Sequence, residues 1–154
     1  MYSVERVVVD TNVLVGALLS ESGGNRAVLR LCLKGRCRPL MGEKLFHEYC
    51  DLMGRPLLDQ SPLSRPDREA LFEALLSKCE WVVVSFLWRP NLPDEGDNHL
   101  IELGVAGGAD SIISANTRDL KGGELKFGNL AVETPAAFLK RWRNTYGNDD
   151  NPNP

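Results

Sequence analysis

Five side chains that carry carboxylate or amide oxygens are candidates for one metal site, and they are Asp10, Glu48, Asp97, Asn116 and Asp119. Asp10 directly follows a β-branched run at 4–9, Asp97 opens a predicted helix, and the last two follow a later predicted strand. Glu48 lies in the middle of a predicted helix. Because magnesium and manganese prefer oxygen ligands, above all carboxylates, this set predicts a site for one of these cations.

Each acid taken alone also has an ordinary structural role. Asp10 suits a turn, Glu48 a solvated helix face and Asp97 a helix N-cap. Two carboxylates about 4 Å apart repel each other by roughly 4 kcal/mol at an effective dielectric constant of 20, which is large beside a total stability of about 5–15 kcal/mol. Several acids gathered in one pocket would therefore require a counter-ion.

Strands and helices alternate along the predicted chain. Strands are expected at 4–9, 38–41, 81–86, 110–114 and 130–132, and helices at 13–35 in one or two pieces, 43–53, 66–78, 97–107 and 134–142. This alternation predicts an α/β fold with a mostly parallel sheet and helices on both faces. Ligands of such sheets bind beyond the carboxyl ends of the strands, near the point where the strand order reverses. The polar residues that follow the strands are therefore the candidate site.

The chain of 154 residues has the length of one domain, and we expect a single domain at 1–146 followed by a flexible tail at 147–154. Pro39 predicts that the second strand lies at an edge of the sheet or ends there, because proline cannot donate a ladder hydrogen bond. The C-terminal helix carries an apolar and aromatic face with Phe138, Leu139, Trp142 and Tyr146. We expect this face to pack within the chain or to form a homodimer with a second copy.

Composition excludes several classes of protein. The sum of 18 Lys and Arg against 21 Asp and Glu gives a net charge of −3 and a pI near 5.4, so nucleic acid would have to be held locally. The four cysteines form no C-x-x-C pair and only two histidines are present, so neither a zinc site nor a disulfide framework is expected. No apolar stretch approaches the length of a membrane span, and we expect a cytoplasmic protein with reduced thiols.

The segment at 7–14, with the sequence VVVDTNVL, resembles the opening motif of PIN domains. Three further pieces occur in the order of that family: Glu48 within LFHEY, Asp97 with Asn98 before a helix, and GADSIIS at 108–114 before a polar loop. Together these pieces cover about residues 4–139. The family comprises metal-dependent ribonucleases, of which the VapC-like members are toxins of bacterial toxin–antitoxin pairs.

The resemblance implies a three-layer α/β/α sandwich with an acidic pocket for Mg²⁺ or Mn²⁺, in which Asp10, Glu48 and Asp97 are both metal ligands and catalytic residues. It also implies that Thr11 orients the first carboxylate, whereas Asn12 is expected to cap the following helix. The implied reaction is hydrolysis of phosphodiester bonds in single-stranded RNA. Similarity to a toxin further implies a cognate antitoxin protein as partner.

One position departs from the family pattern. The fourth acid of the family usually follows a strand in a T-G-D-like segment, and here that segment is Ser114-Ala115-Asn116. An amide oxygen still ligates a metal, but it leaves the pocket one charge less negative. We therefore keep Asn116 as a catalytic candidate and take Asp119 and Asp94 as secondary candidates.

Binding of RNA also requires groups that contact its phosphates. Three basic residues near the predicted pocket are candidates for this role, and they are Arg55, Arg118 and Lys121. For each of them taken alone, an ordinary solvated charge is the more common role.

Two other functions stay open at the level of the sequence. The amide at position 116 favours a catalytically weak or inactive PIN-fold module that binds RNA or protein. A small phosphohydrolase of another α/β family would use the same acids and metal. Phosphatases that form an aspartyl-phosphate commonly need a second aspartate two residues after the first, however, and this chain has Asn12 there.

Overall fold

The computed structural model describes residues 4–20, 23–84, 98–117 and 130–147. The strands in these ranges form one sheet, and they are β1 (Glu5–Val9), β2 (Cys37–Met41), β3 (Glu80–Trp81), β4 (Ser111–Ile113) and β5 (Ala131–Glu133). The helices are α1 (Thr11–Leu19), α2 (Gly24–Leu33), α3 (Glu43–Met53), α4 (Arg65–Lys78), α5 (Asn98–Gly107) and α6 (Pro135–Tyr146), with a 3-10 helix at Pro56–Gln60. All four strand pairs are parallel, and the expected three-layer α/β/α sandwich is confirmed.

The central strand of the sheet is β1, because the strand order is β3-β2-β1-β4-β5. The next two strands in the chain, β2 and β3, lie on one side of β1, and the last two, β4 and β5, lie on the other side. Val7, Val8 and Val9 are buried, which explains the continuous β-branched run of this strand. The reversal of strand order opens a crevice between the carboxyl ends of β1 and β4, where Asp10 and Ser114 follow.

The predicted helices agree with the observed ones to within a few residues. The pattern at 13–35 corresponds to two helices, α1 and α2. Gly23, directly before α2, has a φ of 110°, a conformation that is strained for a residue with a side chain. The side chain of Thr134 caps α6 by accepting a hydrogen bond from Ala137 N at 3.1 Å. The 3-10 helix at Pro56–Gln60 was not predicted. In the described part of the chain, no helix is long and apolar enough to cross a bilayer.

The prediction that Pro39 places β2 at an edge of the sheet is wrong. This strand lies between β1 and β3, and Pro39 pairs with Val7 of β1. Proline is tolerated here because β3 pairs only with Leu40 and Met41, beyond the proline, so that no hydrogen bond to β3 is lost at position 39.

The third strand is shorter than predicted. It spans Glu80–Trp81, although Val82 N still donates a hydrogen bond to Met41 O at 2.8 Å. Residues 82–84 have no regular structure, and 85–86 lie outside the described residues. The predicted N-cap Asp97 and the predicted tail from 148 onward also lie outside them.

The apolar face of α6 packs within the chain. Phe138, Leu139 and Trp142 are all buried, and the helix contacts α2 and β5. Of the two roles expected for this face, packing within the chain is the one observed. The chain itself therefore covers these three side chains, whereas Tyr146 at the end of the same face is 43% exposed.

A buried tyrosine ties α3 to the carboxyl end of β1. The hydroxyl of Tyr49 donates a hydrogen bond to the carbonyl oxygen of Val9, the residue before Asp10. We expect Tyr49→Phe to lower the free energy of unfolding by about 1–3 kcal/mol, because a buried carbonyl loses its partner. Urea unfolding measures this change, and the exposed hydroxyl of Ser77 offers a control, Ser77→Ala, with an expected effect within about 0.5 kcal/mol. Equal midpoints for the two variants would contradict the prediction.

Candidate active site

The carboxylate of Asp10 is fixed at the switch point of the sheet. Its backbone N–H donates to Ile113 O at 2.9 Å, which continues the pairing of β1 with β4. Its Oδ1 accepts from Thr11 N at 2.7 Å, which makes Asp10 the N-cap of α1. Its Oδ2 accepts from Ser114 Oγ at 2.8 Å. Since Asp10 is only 8% exposed and bonded on both oxygens, its carboxylate is held in one orientation.

Asn12 joins the two strand ends. Its Nδ2 lies 3.2 Å from Ser114 Oγ and 3.4 Å from Asp10 Oδ2, and its Oδ1 accepts from Ala115 N at 3.1 Å. The prediction that Asn12 caps the helix is wrong, because Asp10 itself occupies the N-cap position. Thr11 contacts Asp10 Oδ1 mainly through its backbone N–H, since Thr11 Oγ1 is 3.4 Å from that oxygen.

Glu48 reaches the same edge of the sheet from α3. Its side chain is 43% exposed, and its Oε1 lies 3.1 Å from Nε2 of His99, the second residue of α5. Burial raises the pKa of Tyr49 well above its usual range, and the negative charges of Asp10 and Glu48 act in the same direction. Both carboxylates therefore act electrostatically on this one tyrosine, which packs against the end of β1.

The other predicted site residues are distributed differently. Asn116 is exposed, and its backbone N–H donates to Ser114 Oγ at 3.0 Å. Arg55, two residues beyond α3, pairs with Asp51 at 2.7 Å on the exposed surface. The remaining candidates lie outside the described residues, and they are Asp94, Asp97, Arg118, Asp119 and Lys121.

The donors at this edge match a hard divalent cation in chemical type. Asp10 and Glu48 are carboxylates, the hydroxyl of Ser114 contacts Asp10, and Asn116 contacts Ser114 through its backbone N–H. Within the four described ranges, no group of three or more His, Cys, Asp or Glu side chains is placed to hold a metal ion. A third carboxylate would therefore come from elsewhere in the chain, and Asp97, directly before the first residue of α5, is the predicted one.

Ser114 and His99 contact the two carboxylates, although the sequence analysis did not select them. Ser114 is fully buried at the carboxyl end of β4. The sequence feature that could have identified it is a small polar residue at the end of an apolar strand. The sequence feature that could have identified His99 is a polar residue beside Leu100 and Ile101, which are buried in the first turn of α5. Neither feature predicts which residue is contacted, because both contacts join residues that are far apart in the chain.

Comparison with known proteins agrees with this fold. A family model described as PIN domain matches residues 6–118. No curated protein matches the chain. Among solved structures, a chain from the crystal structure of VapBC2 from Rickettsia felis bound to a DNA fragment from their promoter has a TM-score of 0.53 and 14% sequence identity, over 84% of this chain and 98% of that chain. That likeness shows a shared fold, and because the family model spans well over half of the sequence, the chain belongs to the PIN domain family.

Proposed function

We propose that this PIN domain is a Mg²⁺- or Mn²⁺-dependent endoribonuclease that hydrolyses phosphodiester bonds of single-stranded RNA. The observation that carries the proposal is the buried Asp10 carboxylate, which Thr11 and Ser114 hold at the switch point of the sheet beside Glu48. PIN domains are in general nucleases that use divalent metal ions. The oxygen donors at this edge are the ligands that such ions prefer.

In the proposed reaction, the residues of the chain bind and orient the reacting groups. Asp10, Glu48 and Asp97 would hold the cation, and Asn116 would add a neutral oxygen. A bound divalent cation supplies positive charge at the scissile phosphate and lowers the pKa of a water molecule. The N–H of Thr11 and the hydroxyl of Ser114 keep Asp10 in place before the substrate binds, so that little reorganisation is needed. The phosphate contacts in this scheme come from Arg55, Arg118 and Lys121.

We further propose that the protein is the toxin of a type II toxin–antitoxin pair and acts on cytoplasmic RNA. Membership of the PIN domain family supports this proposal, as does the similar fold in the VapBC2 structure, which holds that pair on a DNA fragment from their promoter. A cognate antitoxin protein would then bind this chain and hold it inactive. Growth arrest on expression of the chain alone, relieved by the protein encoded beside it, is the expected result.

The direct test is cleavage of a mixed-sequence single-stranded RNA by the purified protein. We expect cleavage with Mn²⁺ or Mg²⁺ and none with a chelator. A chromogenic phosphate ester serves as the second substrate, because its hydrolysis without RNA cleavage would favour a phosphohydrolase. Metal-independent RNA binding without cleavage would favour the inactive binding module that the amide of Asn116 suggests.

The amide at position 116 also gives a prediction about metal affinity. We expect Asn116→Asp to lower the dissociation constant for Mn²⁺ by about tenfold, because affinity for hard cations rises with the number of charged ligands. Calorimetric titration of the metal-free protein measures the change. Asn144→Asp, which adds the same charge on the exposed side of α6, is the control and should leave the constant unchanged. An equal response of the two variants would place Asn116 outside the metal site.

A further inference from the structure

The contact between His99 and Glu48 joins a buried group to an exposed one. His99 is only 7% exposed, near the start of α5, whereas Glu48 lies mid-way along α3 with 43% of its side chain exposed. Their atoms Nε2 and Oε1 are 3.1 Å apart, which is hydrogen-bonding distance. Packing therefore fixes the imidazole, whereas the orientation of the Glu48 side chain depends on the contacts of its carboxylate.

The imidazole of His99 presents its Nε2 atom to Glu48. A carboxylate can only accept a hydrogen bond, so Nε2 must carry a proton in order to bond it. The other ring nitrogen, Nδ1, has no hydrogen-bond partner among the described residues.

A buried donor suits a carboxylate that must also bind a cation. Packing fixes the ring of His99, so a hydrogen bond from Nε2 restricts the orientation of the Glu48 carboxylate. A fixed position costs a glutamate side chain conformational entropy, which a hydrogen bond to its charged carboxylate can offset. A rigid donor thus prepares Glu48 for a cation in advance.

We propose that His99 is a positioning residue, which holds the Glu48 carboxylate beside Asp10 as a ligand for the divalent cation. This inference rests on the proposed function, because it assumes that Glu48 binds metal. His99 itself does not contact the substrate or the cation in this scheme. It acts only through its Nε2–H bond to Glu48.

The test compares two substitutions of the buried histidine. His99→Phe keeps an aromatic ring without the donor, whereas His99→Gln places an amide N–H near the position of Nε2. We expect the dissociation constant for Mn²⁺, measured by calorimetry, to rise by about 10- to 100-fold in His99→Phe, the range found when a partner of a metal ligand is removed. His99→Gln should restore most of the affinity. His47→Phe, on the exposed surface of α3, is the matched control and should bind as the parent does.

A double-mutant cycle separates positioning from general damage to the fold. If His99 acts through Glu48, then His99→Phe should weaken Mn²⁺ binding in the parent but cause no further loss in a Glu48→Gln background. Circular dichroism confirms that each variant is folded. In the parent, nitrogen chemical shifts of His99 should show the proton on Nε2, with or without metal.

The outcomes distinguish this inference from the proposed function. A parent that binds Mn²⁺, together with a folded His99→Phe protein that binds it equally well, would overturn the positioning role alone. A ring with its proton on Nδ1 would overturn it as well. A parent that binds no divalent cation would overturn the proposed function and this inference together.

Discussion

Asp10→Asn is expected to lower RNA cleavage by a factor of about 1,000 or more, which corresponds to a loss of about 4 kcal/mol of transition-state stabilisation. The variant removes a negative charge from the most fully held ligand of the proposed site. Its amide oxygen can still accept the hydrogen bond from Thr11 N, so that the N-cap of α1 is kept. The loss should therefore come from weaker metal binding and not from unfolding.

Cleavage of labelled single-stranded RNA under single-turnover conditions measures the effect of Asp10→Asn. Asp67→Asn removes the same charge from the exposed first turn of α4 and is expected to cleave at the parental rate. The melting temperature of Asp10→Asn in chelator should be no lower than that of the parent, because one of the like charges near Glu48 is gone. Cleavage by a folded Asp10→Asn protein at the parental rate would remove Asp10 from the reaction.

Arg141→Met is expected to lower the free energy of unfolding by about 3–5 kcal/mol, a large share of the 5–15 kcal/mol typical of a domain. Arg141 of α6 bonds Glu5 of β1 at 2.8 and 3.1 Å and Glu133 of β5 at 3.0 and 3.2 Å. The two carboxylate side chains are only 9% and 13% exposed. Without the guanidinium they would remain almost buried with no cation to pair with.

Urea unfolding at neutral pH measures the effect of Arg141→Met. Arg143→Met on the exposed face of the same helix is the control, with an expected change within about 0.5 kcal/mol. Replacing Glu5 and Glu133 by glutamine in the Arg141→Met protein should recover most of the stability, because the unpaired charges are then removed. A loss for Arg141→Met no larger than that for Arg143→Met would show that the buried pair contributes little.

The helices could be predicted from the sequence because their signals are local. The apolar spacing and glycine end of α3 lie within a dozen residues, as do the Thr134-Pro135 start and apolar face of α6. The strands were harder to predict, because a strand forms only where another strand pairs with it. The apolar run at 81–86 satisfies strand propensity, yet within its described part, 81–84, the strand ends at Trp81.

The sequence by itself determined the fold class, the family motif and the position of Asp10 at the end of β1. Tertiary structure alone decided which side chains hold them: Ser114 bonds Asp10 across 104 residues of sequence, and His99 approaches Glu48 from another helix. The same is true of Asn12. Its position beside a helix start predicted that it caps the helix, whereas its side chain contacts Ser114 and Ala115, which follow β4. Local patterns specify which residues are helical or extended, whereas these contacts depend on the order in which the strands pair, and that order is fixed only when the whole core packs.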